Sequence, residues 1–148
     1  MGRLGGGTSL YLRNTINFNI MSDLCSSNSA LFDSVFVETI NPRGKKFIVG
    51  TVYRPPSHNL HEFLESFQLL LERVTRDNKV CHIMGDFNLD LLNTDSHSVT
   101  NEFINTSFSH MLYPLISKPT RITSYSTTLI DKIFTNNISA SSGPMVSL

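Results

Sequence analysis

Val80-Cys81-His82-Ile83-Met84-Gly85-Asp86-Phe87-Asn88-Leu89-Asp90-Leu91-Leu92 is the stretch from which the fold can be read. A short apolar run, read as a buried strand, stops at a glycine and then delivers Asp86, Asn88 and Asp90 within five residues. The glycine predicts a sharp turn at the end of the strand. Alternation then sends Asp86 and Asn88 to one side and Phe87 and Leu89 to the other, so the apolar pair anchors the loop and holds the polar pair still. Three readings compete. The first is an Asx-rich turn whose carboxylates only satisfy backbone donors. The second, a calcium loop counted from Asp86, needs glycine at its sixth position and glutamate at its twelfth; Leu91 and His97 stand there, so it fails. The third is a hydrolytic site in which the Asp–Asn pair places water and a phosphate oxygen.

Upstream, Asn59 predicts a helix cap with Glu62 three residues on, and Leu60, Phe63, Leu64, Phe67, Leu70, Leu71 and Val74 follow at helical spacing through Thr75. Before that, Leu31–Ile40 and Lys45–Tyr53 are rich in β-branched and aromatic residues and flank the turn Asn41-Pro42-Arg43-Gly44. The second of these strands, the helix and Val80–Met84 make a β-α-β unit whose strands finish at one edge. Tyr53 and Asp86 thereby meet where α/β ligand sites lie. Arg54-Pro55-Pro56 forces the chain out of the strand at that edge.

The remaining segments carry weaker signals. Ser9–Phe18 alternates well enough for a strand, entered through Gly5-Gly6-Gly7, and Asp23–Ala30 reads as loop. Asn93–His97 is polar loop, Ser98 or Thr100 could cap a helix reaching about Met111, and Tyr113–Ile116 is a short apolar segment. Leu129–Phe134 reads as a strand with Asp131 in its middle, a costly place for an acid without a partner.

Twelve basic residues balance twelve acidic ones, which argues against strong non-specific affinity for duplex DNA and leaves room only for a local basic patch. Cys25 and Cys81 lack metal or redox spacing and read as buried free thiols in a reducing, intracellular compartment rather than a secreted one. No apolar run approaches the ~20 residues of a membrane span. The five histidines, His58, His61, His82, His97 and His110, show no zinc-site spacing, and none follows Asp131. Glu38, on a strand, reads as a solvent-facing acid.

Four motifs in order carry a resemblance: Gly5 to Leu12, Val52-Tyr53-Arg54-Pro55-Pro56, Gly85-Asp86-Phe87-Asn88, and Pro119-Thr120-Arg121 with Thr128-Leu129-Ile130-Asp131-Lys132-Ile133-Phe134. Together the chain resembles the endonuclease domain of non-LTR (LINE-type) retrotransposons, within the endonuclease/exonuclease/phosphatase superfamily. The resemblance implies an α/β fold, a two-sheet DNase-like sandwich with flanking helices. It also implies that residues 1–148 are a partial domain, truncated at both ends. The strands carrying the family's metal-binding glutamate would precede Gly5, and the chain stops at Val146-Ser147-Leu148, short of a Ser-Asp-His strand.

By the same resemblance the catalytic residues are Asp86, Asn88, Asp131 and Tyr53, with Tyr53 on the scissile phosphate and Asp131 orienting the histidine of the absent strand. Arg54, Thr120 and Arg121 are the implied phosphate contacts, although surface arginines explain Arg54 and Arg121 equally well. The implied cofactor is Mg²⁺ or Mn²⁺, for which Asp86 and Asn88 are the candidate ligands in this chain. The implied partners are duplex DNA and a reverse transcriptase domain of the parent polyprotein, with no membrane. The leading expectation is an endonuclease fragment that nicked duplex DNA and is inactive, or nearly so, as this chain. A non-catalytic DNA- or protein-binding remnant is the alternative, and a phosphatase of the same superfamily fits least well.

Overall fold

The computed structural model describes residues 6–27, 30–56, 59–93 and 98–138. The expectations placed on Gly5, His58, His97 and the Val146–Leu148 end lie outside them. The described chain forms β1 (Phe18–Ile20), β2 (Asp33–Ile40), β3 (Lys46–Tyr53), α1 (Leu60–Thr75), β4 (Val80–Asp86), α2 (Ser98–Ser109), β5 (Tyr113–Pro114), β6 (Arg121–Ile122), β7 (Thr127–Thr128) and β8 (Asp131–Thr135). Six strands form one mixed sheet in the order β1-β2-β3-β4-β8-β5, and β6 and β7 pair as a separate two-stranded sheet. This is an α/β fold of the DNase-like kind.

Local chemistry explains the elements that the sequence predicts. The Asn41 side chain accepts from Arg43 and Lys45 amides, both at 2.9 Å, and closes the β2–β3 hairpin. At the start of α1 the Asn59 side chain accepts from the His61 amide at 3.1 Å and donates to Glu62 at 2.9 Å. That interaction fixes where the helix begins. The buried stripe Phe63, Leu64, Phe67, Leu70, Leu71 and Val74 then packs on the sheet residues Phe36, Ile48, Val52, Ile83 and Phe134. The β3–β4 pair is parallel and in register from Phe47↔Val80 to Tyr53↔Asp86, as the β-α-β reading requires.

Four expectations are corrected. Ser9–Phe18 is not a strand; regular pairing begins only at Phe18, while Thr8 reaches the sheet through a 2.6 Å hydroxyl contact with Thr51. Gly85 does not turn the chain: it lies inside β4 at φ +150°, paired with Val52 on one side and Lys132 on the other. Asp131 is the exposed first residue of β8, not an acid buried in mid-strand, because the preceding Leu129 and Ile130 belong to the entering loop. Glu38 is not simply solvent-facing either; Lys46 at 2.8 Å and Lys79 at 2.6 Å pair with it.

At the far end of β4 an asparagine replaces a strand. Asn136 accepts from the Cys81 amide at 2.9 Å and donates to the Lys79 carbonyl at 2.8 Å, extending the β4–β8 ladder by one side chain. Asn136→Leu removes both bonds and is expected to lower stability by about 2 kcal/mol, read as a shift in urea midpoint. An unchanged midpoint would mean that the ladder does not need this stitch.

Candidate active site

The sheet register brings the sequence-predicted residues together. Tyr53 pairs with Asp86 across β3 and β4, and Asp86 pairs with Asp131 across β4 and β8. Residues directly opposite share a face of the sheet, so the three side chains stand side by side at one edge. Asp33 extends the row by pairing with Tyr53 across β2 and β3. It is buried, and the motifs did not single it out.

The Gly6–Thr8 segment lies over this row. A Cβ added at Gly6, where φ is +83°, would run into the Tyr53 ring and hydroxyl, and the tyrosine would have to shift to admit it. Gly6 is thus packed against a candidate catalytic residue.

The loop after Asp86 is held by the apolar residues that alternation predicts. Phe87 and Leu89 are buried. The Phe87 ring lies 5.7 Å from Phe67, 5.2 Å from Phe103 and 5.8 Å from Phe134, in an aromatic cluster beneath the sheet. Asn88 takes φ +48°, its amide donates to the Asp86 carboxylate at 2.9 Å, and its side-chain nitrogen donates to the Arg54 carbonyl at 2.7 Å. The Asn88 side-chain oxygen remains as the atom it can offer a ligand.

Arg54 does not reach outward to a phosphate, nor is it a solvated surface arginine. It is 3 % exposed, and its guanidinium donates to the carbonyls of Phe87 at 2.9 Å, Pro55 at 2.7 Å and Asn88 at 3.4 Å. Burial lowers its pKa, and the charge of Asp86 opposes that effect. Arg54 therefore shapes the loop that carries Asn88. Thr120 accepts from the Asp131 amide at 3.2 Å and so lies at the site, whereas Arg121 begins the exposed β6–β7 hairpin beside it.

Lys132 was not among the expected residues, although alternation with Phe134 puts it on the core face. It is 1 % exposed; its ammonium donates to the carbonyl of Leu89 and, at 3.0 and 3.4 Å, to those of Ile130 and Leu129. Period-two reading assigns the face, but no local signal tells that a lysine there will find acceptors.

Two carboxylates in adjacent register repel each other. Burial raises the Asp86 pKa, the Asp131 charge raises it further, and the Asn88 amide, Lys132 and Arg54 oppose the rise. The folded state thus holds the Asp86 proton more tightly than the unfolded chain, so the contribution of Asp86 to stability is lost as pH rises through its titration. Asp131→Asn is expected to lower the Asp86 pKa, measured by carboxyl-carbon NMR. An unmoved titration would mean that the two acids are not neighbours in solution.

A profile described as endonuclease-reverse transcriptase matches residues 47–145. The chain belongs to the endonuclease-reverse transcriptase family. No curated protein matches the sequence. Among solved structures, this chain is similar to the endonuclease domain of TRAS1, a telomere-specific non-LTR retrotransposon. The TM-score is 0.64 at 16 % identity, over 85 % of this chain and 58 % of that one. It is also similar to an endonuclease/exonuclease/phosphatase family protein from Leptotrichia buccalis, with a TM-score of 0.53 at 17 % identity, over 84 % of this chain and 50 % of that one. The Xenopus laevis APE2 catalytic domain gives a TM-score of 0.53 at 16 % identity, over 80 % and 49 %. At these identities the likeness is one of fold, and the chain spans about half the length of the proteins it matches.

Proposed function

We propose that Tyr53, Asp86, Asn88 and Asp131 form the phosphodiester-binding part of a retrotransposon-type DNA endonuclease site, and that this chain by itself cleaves DNA weakly or not at all. The observation that carries the reading is the single row: three strands deliver Tyr53, Asp86 and Asp131 to one edge in direct register, with Asn88 two residues on. A tyrosine hydroxyl can donate to a non-bridging phosphate oxygen, the Asn88 side-chain oxygen can accept from water, and a carboxyl group of raised pKa suits proton transfer to or from water. The exposed β6–β7 hairpin beside Thr120, with Arg121, Ile122 and Tyr125, offers a cation and two apolar groups to a duplex despite a net charge of zero.

Phosphodiester cleavage in this superfamily implies Mg²⁺ or Mn²⁺. Oxygen donors are the right kind for such an ion, but the number is small: among the described residues no three acids, histidines or cysteines converge as a metal-binding group. The donor set does not fit a self-sufficient metal site. Among the described residues no histidine hydrogen-bonds the Asp131 carboxylate, which leaves the leaving group without the acid partner that a triad-like arrangement would need. Groups that act as a unit lose most of their effect when one is missing.

Nicking therefore depends on groups outside the row, and the family description suggests a reverse transcriptase neighbour in a parent polyprotein. Among the described residues no helix is long and apolar enough to cross a membrane, and the uncrosslinked Cys25 and Cys81 suit an intracellular DNA target.

The test is a supercoiled-plasmid nicking assay with Mg²⁺ on this chain and on Asp86→Ala. The expected result is no nicking above background by either. Mg²⁺-dependent nicking by the parent, lost in Asp86→Ala, would overturn the inactivity and make the chain a working endonuclease.

A further inference from the structure

We infer that Lys132 is a positioning residue for the candidate site: its buried ammonium ties the Phe87–Leu89 loop to Leu129–Ile130 and so holds Asp86 and Asn88 in line with Asp131. The inference rests on reading that row as the phosphodiester site. Its basis is where the three donated bonds go. One reaches Leu89, in the loop that follows Asp86, and two reach Leu129 and Ile130, in the segment that precedes Asp131. The same two segments are zipped by backbone bonds, Phe87 to Ile130 at 3.2 Å and Leu91 to Leu129 at 3.1 Å, and Asp90 accepts from Leu129 at 2.8 Å. Lys132 sits under the middle of this zipper, its charge over the rings of Phe87 at 5.6 Å and Phe103 at 5.7 Å.

Stability alone does not account for a lysine here. Among the described residues no carboxylate makes an ion pair with it, and a buried cation held only by neutral acceptors burdens the folded state. Leu129 and Ile130 each accept a second, backbone bond, so only Leu89 depends on the ammonium. A hydrocarbon of the same length would fill the space without the charge. What it would not supply is the tie between two loops that carry opposite halves of the row.

The charged groups facing Lys132 are Asp86 at the end of β4, Asp131 at the start of β8, Asp90 in the loop and Arg54 after β3. Burial pushes the amine down to about 7; the three aspartates oppose that and Arg54 reinforces it. Deprotonation removes one N–H donor and the charge that the carbonyls face. Loop order is then tied to pH near neutrality. Global stability runs the other way. A lysine with a depressed folded pKa burdens the folded state while protonated, so its effect on stability eases as pH rises from about 7 towards its ordinary 10.5.

Amide hydrogen exchange on the 148-residue chain separates the two effects. Lys132→Met is expected to keep a thermal midpoint close to that of the parent while the Phe87 and Leu91 amides exchange at least tenfold faster relative to the interior of β4. In the parent, protection of those two amides, corrected for base-catalysed intrinsic exchange, is expected to step down as pH passes about 7. The step should be absent in Lys132→Met. Unchanged protection in the folded variant overturns the inference. If Lys132→Met does not fold, Lys132→Leu is read the same way: faster exchange at the two amides supports the inference and unchanged protection overturns it. Neither readout uses DNA or metal, so a failed nicking assay and a failed tie remain distinguishable.

Discussion

Gly85→Ala is expected to cost more than about 3 kcal/mol, a large share of the 5–15 kcal/mol that holds a typical domain, and to leave much of the chain unfolded at 25 °C. An alanine Cβ at this position would stand 1.8 Å from the Val52 carbonyl oxygen, a backbone atom of the neighbouring strand. At φ +150° the side chain of an L-residue points into the plane of the sheet instead of away from it. Relief would require β3 and β4 to part at the Val52↔Gly85 pair, next to Tyr53↔Asp86. The damage would thus spread from the sheet into the site row. Gly44→Ala is the control, because φ is +75° there but nothing lies within 4 Å of the added Cβ. It should cost only about 1 kcal/mol. Urea denaturation followed by circular dichroism reads both, and equal midpoints for the two variants would refute the close approach.

Arg54→Met should be the second large effect, lowering stability by about 3 kcal/mol. Methionine fills part of the space and can stay against the Phe63 ring, over which the guanidinium lies at 5.4 Å. It leaves the carbonyls of Phe87, Pro55 and Asn88 without their donor. Unpaired buried acceptors, more than the lost attraction, make the change costly. Arg54→Lys should recover little, since one ammonium on a flexible stem cannot replace a rigid fork that spans three acceptors. Had Arg54 been a surface phosphate contact, both substitutions would leave the urea midpoint within about 0.5 kcal/mol of the parent. A small effect of Arg54→Met with a large loss of DNA binding would restore that role.

Arg54 and Lys132 together explain how the Asp86–Asp90 loop is built. Three consecutive carbonyls, from Phe87 to Leu89, are drawn inward by two buried cations, one arriving from the end of β3 and one from β8. Phe87 and Leu89 anchor the same turn by burial. Asn88 is left at φ +48° with its amide on Asp86. Neither apolar burial nor the cations alone would fix both the backbone and the direction of its carbonyls.

The sequence by itself determined the β2–β3 hairpin, α1 and its cap, the parallel β3–β4 crossover, and the meeting of Tyr53 with Asp86. Each depends on signals carried within a few residues: Asn41 in its turn, Asn59 at its helix, the heptad-like stripe of α1, and the edge at which parallel strands finish. Only the tertiary structure decided which charges are inside. Asp131 and Lys132 are consecutive, yet the acid is exposed and the lysine buried, because β8 starts at Asp131 and its register sets Lys132 against Gly85. Arg54 reads locally as the start of an exposed loop, but its acceptors at Phe87 and Asn88 lie 33 and 34 residues away. Gly85 reads as a turn, and its real constraint is a carbonyl on another strand. Periodicity assigns a residue to a face. Whether a polar group can be buried there depends on partners that only the folded chain brings within bonding distance.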